Sequence, residues 1–169
     1  MATDLASLSA PSPLLAAHDV SGFSCGHDAL DAWLKERALK SEGRSARTFV
    51  VLAGQEVVGY YSLATGSVAR ETAPRKIRVN APDPIPIALI GRLAVDRRLA
   101  GHGIGSAMLA DGLKRILQLS LSIGCAAAVV HAIDEKAIGF YQRMGFVAWP
   151  PDGRTLFLPL ETISAALGR

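Results

Sequence analysis

The segment LAVDRRLAGHGIGSAMLADGLKRIL, residues Leu93 to Leu117, contains the most informative pattern in this sequence. It overlaps the end of an apolar run from Ile85 to Val95, which is typical of a buried β-strand. Glycines then alternate at Gly101, Gly103 and Gly105. After them, apolar side chains recur at helical spacing, at Ile104, Met108, Leu109, Leu113, Ile116 and Leu117. The sequence therefore predicts a strand, a glycine loop and a helix in direct succession.

The glycine loop is predicted to bind a phosphate or pyrophosphate. N–H groups in the first turn of a helix have no intrahelical partner, and the positive end of the helix dipole lies beside them. The nucleoside-triphosphate loop needs a lysine after its last glycine, but Ser106 follows Gly105, and the dinucleotide fingerprint Gly-x-Gly-x-x-Gly is absent from the loop. Arg98, Gly101 and Gly103 match Arg/Gln-x-x-Gly-x-Gly/Ala instead. The alternative is a glycine-rich turn without a ligand.

Length and composition are those of a single globular domain. The chain has 169 residues, 50% hydrophobic and 20% charged, which predicts one domain over residues 1–169 that starts with an extended segment at 1–13. No apolar stretch reaches the roughly 18 residues that span a bilayer, and we find no signal peptide. Cys25 and Cys125 are far apart in the sequence, and the histidines stand singly. We therefore expect a cytoplasmic protein without a disulfide, a metal site or a membrane partner.

The remaining apolar patterns predict a mixed α/β sheet flanked by helices. Before the glycine loop, the predicted elements are a first strand at Leu14–Leu15, a helix capped by Asp28 and running to about Ser41, and strands Thr48–Ala53 and Val57–Thr65 joined at Gly54–Glu56. After the loop and its helix, they are a buried strand Cys125–His131 and a helix capped by Asp134 and ended by Gly145. The chain then closes with strands Phe146–Trp149 and Leu156–Leu160 around a turn at Pro150–Arg154, and with a tail Ile163–Leu167.

The segment from Gly66 to Asp83 has the least regular pattern in the chain. Before Pro82, Pro84 and Pro86 it contains four cations, Arg70, Arg75, Lys76 and Arg78, against the single acid Glu71. Such a run is either a solvated face or a cationic loop for a polyanionic partner.

A second motif, GFYQRMGF at Gly139–Phe146, lies on the predicted helix that Asp134 caps. Together with the glycine loop, this F-Y-x-x-x-G-F pattern resembles the two signatures of the GCN5-related N-acetyltransferase (GNAT) superfamily. The resemblance implies a mostly antiparallel mixed sheet with a splayed strand pair, acetyl-CoA as the acyl donor, and Tyr141 as the general acid that protonates the departing thiolate. It also implies acetyl-CoA contacts from Leu93, Ala94, Val95, Arg97, Arg98, Gly101, His102, Gly103, Ile104, Gly105 and Ser106.

The amino-acid sequences of four stretches give a more specific resemblance, to the acetyltransferase toxins of toxin–antitoxin modules. The stretches are Ala46–Val51, Val57–Val68, Ala81–Pro86 and Gly91–Gly105. Members of that group acetylate the α-amine of aminoacyl-tRNA and stop translation. The resemblance implies a ribbon-helix-helix antitoxin, operator DNA contacts only through that antitoxin, and a homodimer.

The residues themselves agree with an α-amine acceptor. An α-amine has a pKa near 7.7–8.0 and is partly neutral already, whereas a lysine side chain near 10.4 needs a base. Where many relatives place a glutamate base, the strand Val57–Thr65 offers Tyr60, Tyr61 and Ser62. The cations expected to contact tRNA phosphates are Arg44, Arg47, Arg75, Lys76 and Arg78.

Two alternatives stay open. An acetyltransferase for a small amine or a protein N-terminus would favour acidic substrate loops, whereas the loops here are basic. A non-catalytic acyl-CoA-binding module would be expected to lose the leaving-group acid, whereas Tyr141 is present. Asp134 stands where relatives often carry a cofactor-contacting asparagine, so we assign it no cofactor role.

Overall fold

The computed structural model of the protein describes residues 4–149 and 153–167. Its helices and strands follow one another as β1 (Ser12–Pro13), α1 (Asp28–Glu36), α2 (Ala38–Ser41), β2 (Arg47–Ala53), β3 (Glu56–Val68), α3 (Arg75–Arg78), β4 (Ile85–Val95), α4 (Ile104–Leu119), β5 (Ala127–His131), α5 (Glu135–Arg143), β6 (Val147–Trp149), β7 (Thr155–Pro159) and α6 (Leu160–Leu167).

Seven strands of the described part of the chain form one sheet in the order β1-β2-β3-β4-β5-β7-β6. β4 and β5 are parallel, whereas β1–β2, β2–β3, β5–β7 and β6–β7 are antiparallel pairs. The register between β4 and β5 covers Ala88 to Ile90, and β4 continues to Val95. The predicted α/β class with a mixed, mostly antiparallel sheet and flanking helices is confirmed.

By their internal contacts, the described residues fall into two compact units. One comprises the residues up to 63 together with 92–111, and the other comprises 64–91 together with 112–167. β3, β4 and α4 each contribute residues to both units. The single domain over 1–169 stays a prediction.

In the first unit, α1 and strands β2 and β3 enclose an aromatic core. Tyr60 is fully buried, stacks on Trp33 with ring centroids 6.0 Å apart, and packs edge-to-face with Phe23 with ring centroids 5.5 Å apart. Leu34 and Val50 belong to the same cluster. Trp33 and Leu34 of α1 therefore face this core.

In the second unit, strands β4, β5 and β7 present alternate apolar side chains to α3. Ile85, Val129 and Phe157 pack with Ile77 of α3 and with Trp149. The Trp149 indole N–H donates to the Thr72 carbonyl at 2.9 Å. Because Ile77 points inward, this single helical turn directs its charged residues away from the core.

Several predicted boundaries are wrong. The first helix is capped by His27 rather than Asp28, because the Asp31 carboxylate accepts the preceding Cys25 N–H at 2.9 Å, and Arg37 interrupts the helix. The tail Ile163–Leu167 belongs to α6, since Leu160 and Ile163 recur at helical spacing and Ile163 is buried.

At the N-terminus, the first strand is Ser12–Pro13 rather than Leu14–Leu15, an edge position that suits a proline without an N–H. The predicted extended segment 1–13 contains a 3-10 turn at Leu5–Ser7, and its residues 1–3 lie outside the described chain. Most of the predicted turn Pro150–Arg154 also lies outside it.

Candidate functional site

The glycine loop between β4 and α4 has the backbone shape that the sequence predicts. Gly101 and Gly103 have positive φ angles of 80° and 78°, which side-chain-bearing residues rarely adopt. A Cβ built on either glycine meets no atom within 4 Å. The loop therefore needs glycine for its conformation and not for internal packing, and the space beside both glycines is open.

The loop presents a continuous row of N–H donors. The N–H groups from Gly101 to Ser106, six in number, make no hydrogen bond within residues 4–149 and 153–167. The next N–H, that of Ala107, donates to the Gly103 carbonyl at 3.0 Å. Donors converging at the start of a helix are the arrangement that binds phosphate oxygens.

Arg98, which begins the motif, lies in an ion-pair network that sequence reasoning missed. Its Nε donates to Asp96 Oδ1 at 2.9 Å, and its Nη2 donates to Glu56 Oε1 at 2.6 Å. The Arg98 backbone N–H also donates to Asp96 Oδ1, at 3.0 Å. Arg98 thus fixes the loop to β3, and its own N–H is already used, so the row of free donors begins at Gly101. In the sequence, the one local indication of this network is an aspartate, Asp96, two residues before Arg98.

Asp96 connects this network to a third segment of the chain. Its side chain is 1% exposed and also accepts the Ser24 N–H at 3.2 Å. Burial alone would raise the pKa of the Asp96 carboxyl, but the hydrogen bonds from Arg98 and Ser24 outweigh it and lower that pKa below its ordinary value.

Asp96→Asn is expected to lower the free energy of unfolding by about 2 kcal/mol at neutral pH, because charge-assisted hydrogen bonds are lost. The folded-state pKa is depressed, so this stabilisation is present above the unfolded-state pKa of about 3.9 and is lost as pH falls through the folded-state value. Urea titrations between pH 3 and 7 should show a shallower loss of stability in acid for the variant. Parallel pH profiles for the two proteins would contradict this assignment.

The other residues predicted to bind acetyl-CoA lie along the same segment. Leu93, Ala94 and Val95 form the end of β4, beyond its register with β5. Arg97 and His102 are exposed on the loop.

Tyr141 lies on α5 in the second unit. Its side chain is 6% exposed and contacts the rings of Phe140 and Phe146, with centroids 5.2 and 5.6 Å away. Burial raises the pKa of Tyr141 to about 12, so the phenol keeps its proton at neutral pH. Its hydroxyl makes no hydrogen bond to the described residues and is not sealed from solvent. The group can therefore donate a proton to a ligand.

Helix α5, which carries Tyr141, is held at both ends as predicted. Asp134 Oδ1 accepts the Ala137 N–H at 2.8 Å, which makes Asp134 the N-cap. Gly145 follows the helix with a φ of 99°.

The tyrosines of β3 offer no free base. The Tyr60 hydroxyl donates to the Leu30 carbonyl at 2.7 Å, and burial raises the pKa of Tyr60. The Tyr61 hydroxyl donates to the Asp111 carboxylate. Ser62 is 2% exposed. After Glu56, whose carboxylate pairs with Arg98, this strand therefore presents no carboxylate for deprotonating an ammonium group.

The predicted tRNA-binding cations lie on two segments. On α3, Arg75 and Lys76 are exposed and Arg78 is half-buried. Arg44 and Arg47 are exposed near the start of β2, where Arg47 Nη1 lies 3.3 Å from Glu42 Oε1.

Arg92 was not predicted as a functional residue. Its guanidinium carbon lies 3.9 Å from the centre of the Trp33 ring, and this contact joins residues 59 positions apart in the chain. In the part of the chain that the structure describes, no cluster of histidine, cysteine and acidic residues could hold a metal ion. None of the described helices is long and apolar enough to cross a membrane.

Comparison with known proteins identifies the family. The profile of the "Acetyltransferase (GNAT) family" matches residues 13–146. A "tRNA-acetylating toxin" of Mycobacterium tuberculosis is 42% identical over 161 residues, covering 95% of this chain and 97% of that protein.

Two solved structures have the same fold. One is AtaT in complex with acetyl-methionyl-tRNAfMet, with a TM-score of 0.86, 28% identity, and coverage of 94% of this chain and 98% of that chain. The other is a tyrosine-to-phenylalanine mutant of AtaT bound to the C-terminus of its antitoxin AtaR and to acetyl-CoA, with a TM-score of 0.81, 27% identity, and coverage of 96% and 99%. A family profile spanning most of the chain, together with a relative 42% identical along almost its full length, shows that this chain belongs to the GNAT acetyltransferase family.

Proposed function

We propose that this protein is a toxin that transfers the acetyl group of acetyl-CoA to the α-amine of aminoacyl-tRNA and thereby blocks translation. The observation that carries the proposal is the row of N–H donors from Gly101 to Ser106, in a chain 42% identical to a tRNA-acetylating toxin. Members of the family are acyltransferases, so acetyl-CoA is the donor.

The loop would hold the pyrophosphate of acetyl-CoA with main-chain dipoles. The carboxylates of Asp96 and Glu56 already neutralise the Arg98 side chain, so its charge serves to position the loop. The extended pantetheine arm would then run back along β4, past Val95 and Ala94 to Leu93. Strand-like pairing of the arm with β4 would align the thioester without any side-chain contact.

The chemical step needs an uncharged amine and an acid. The amine attacks the thioester carbonyl, a C–N bond forms and the C–S bond breaks. The amine loses one proton to solvent, the thiolate gains one from an acid, and that acid regains its proton from solvent. We propose that Tyr141 supplies the thiolate's proton, supported by its accessible hydroxyl and its raised pKa of about 12. An α-amine near 7.7–8.0 reaches the neutral form without a strong base, which fits the lack of a carboxylate on β3 after Glu56.

The acceptor's phosphates would be bound by exposed cations. Arg75, Lys76 and Arg78 share one helical turn that Ile77 anchors in the core, and Arg44 and Arg47 lie before and at the start of β2. Because such contacts release counterions, they make binding depend on salt.

The remaining partners follow from the same function. AtaT, which this chain resembles, has been solved with the C-terminus of its antitoxin. We propose a ribbon-helix-helix antitoxin for this chain, operator DNA contacts through that antitoxin, and a homodimer. Charged tRNA as the acceptor places the proposed site of action in the cytoplasm.

The decisive experiment is incubation of the protein with labelled acetyl-CoA and charged total tRNA, followed by sequencing of the labelled species. We expect label on aminoacyl-tRNA that is lost on mild alkaline deacylation, because the ester carries the acetylated amino acid. Label confined to protein N-termini or to added small amines would overturn the proposal in favour of the alternative acceptors.

Replacing Arg75, Lys76 and Arg78 together by alanine is expected to weaken tRNA binding and flatten its salt dependence. Removing a cation that binds one phosphate should reduce the slope of log affinity against log salt by about 0.7–0.9. Filter binding from 50 to 300 mM salt measures that slope, and calorimetry should show unchanged acetyl-CoA affinity. Growth arrest on expression without antitoxin should also diminish.

A matched control replaces Lys35, Arg37 and Lys40, exposed cations of α1, α2 and the residue between them, by alanine. This variant loses the same formal charge and should keep most of the slope. Equal slopes in the two triple variants would show that net charge alone is responsible, and full toxicity of the α3 variant would make α3 a solvated face.

A further inference from the structure

Arg92 is the outermost layer of a stack built on α1 and β3. Its guanidinium lies over Trp33 at 3.9 Å, and Trp33 is stacked on Tyr60 with an angle of 10° between the rings. The Tyr60 hydroxyl fixes this stack by donating to the Leu30 carbonyl, also on α1, at 2.7 Å. The position of the Arg92 guanidinium is therefore set by packing against Trp33.

The surroundings of Arg92 differ from those of Arg98 and Arg47 in the same unit. Arg98 and Arg47 pair with carboxylates, whereas Arg92 makes no ion pair or side-chain hydrogen bond within the described ranges. It is half-buried, and burial lowers the pKa of its guanidinium. A partly desolvated cation is costly, and the aromatic face of Trp33 compensates only in part. The N–H edge of Arg92 therefore remains available for an external anion.

The position of Arg92 in the sequence indicates which anion this is, and this step rests on the proposed function. With the pyrophosphate on the glycine loop and the pantetheine arm on Val95 to Leu93, the thioester lies at the Leu93 end of the arm. Arg92 is the next residue along the strand. An acceptor amine that attacks the thioester must therefore bring the end of its own molecule to Arg92.

We infer that Arg92, held against Trp33, binds the phosphate of the 3′-terminal nucleotide of aminoacyl-tRNA. In charged tRNA this phosphate is the anion closest in the covalent structure to the reacting amine. A planar guanidinium can donate two parallel hydrogen bonds to it. The cations of α3 would contact the body of the tRNA, whereas Arg92 places its reacting end.

The test compares two minimal acceptors that differ only in this phosphate, 3′-O-aminoacyl-adenosine and its 5′-monophosphate, carrying the amino acid found in the labelling experiment. The wild-type protein should acetylate the phosphorylated acceptor with a kcat/KM about 10- to 100-fold higher, the effect of a charge-assisted contact. Arg92→Gln should reduce that preference to near one, mainly through KM. Arg92→Lys should restore part of it, because it keeps the charge but loses the planar fork.

Arg37→Gln is the matched control, since it removes an exposed cation next to α1 that contacts no aromatic ring in the described chain, and it should keep the full preference. Trp33→Leu should lower the preference and Trp33→Phe should retain most of it, with folding checked by thermal melts.

A preference unchanged in Arg92→Gln, or absent in the wild type, would overturn the inference. The inference would also be overturned if Arg92→Gln acetylated charged tRNA with the same kcat/KM as the wild type, even if neither minimal acceptor reacts. Failure of the proposed function would differ, because then the wild type would not acetylate charged tRNA at all.

Discussion

Gly103→Val is expected to abolish acetyl-CoA binding in a protein that still folds. The glycine has a φ of 78° in a row of N–H donors, and a side chain there would project into the space that we propose for the pyrophosphate. A β-branched residue also strains this backbone, at a cost of roughly 1–3 kcal/mol. No neighbouring atom lies within 4 Å of the added Cβ, so folding faces only that strain. Titration calorimetry measures the affinity, and circular dichroism checks the fold.

The matched control for this variant is Gly54→Val in the turn between β2 and β3. Gly54 has a φ of 64°, and a Cβ on it also meets nothing within 4 Å. Both variants should lose similar thermal stability, but only Gly103→Val should lose acetyl-CoA binding. Unchanged affinity in folded Gly103→Val would remove the loop from the donor site. Loss of binding in Gly54→Val as well would attribute the effect to general destabilisation.

Tyr141→Phe is expected to lower kcat by about 10²–10⁴-fold, the usual contribution of a general acid, while acetyl-CoA affinity persists. The ring keeps its contacts with Phe140 and Phe146, so the variant removes only the hydroxyl. Because burial raises the pKa of Tyr141 to about 12, wild-type kcat should not fall through loss of this proton between pH 6 and 10.

The pH profile adds a second criterion for Tyr141. Deprotonation of the acceptor amine should produce a rise in kcat/KM towards pH 8 in both the wild type and Tyr141→Phe. Stopped assays with labelled acetyl-CoA across this range measure both quantities. Nearly normal turnover in the variant would mean that water or another group protonates the thiolate.

The parts of this fold that were predictable from sequence are those that short segments determine. The apolar run Ile85–Val95 forms a strand with these bounds, and the following helix begins at Ile104 as its spacing predicts. Asp134 and Gly145 delimit α5 because capping depends on a few neighbouring residues. The glycine loop was predictable for the same reason.

The surroundings of the predicted site residues depend on contacts between distant segments, which no local pattern encodes. Arg98 pairs with Glu56 across 42 positions, and Trp33 meets Arg92 across 59. Neither pair follows a spacing rule, since sheet pairing and the placement of α1 bring the partners together. The N-cap of α1 was predicted wrongly because two nearby aspartates can accept a hydrogen bond from the backbone before the helix, and Asp31 rather than Asp28 does so.

The row of N–H groups from Gly101 to Ser106 also links the stability of the folded protein to the binding of a ligand in this loop. The folded chain retains donors that no other described residue satisfies, and a ligand that satisfies them binds the folded form alone. By mass action, each tenfold rise of that ligand above its Kd adds about 1.4 kcal/mol to the free energy of unfolding. A loaded molecule therefore opens less often than an empty one, and with acetyl-CoA as the ligand that we propose for this loop, a rise in acetyl-CoA should increase both the rate of the reaction and the resistance of the protein to unfolding.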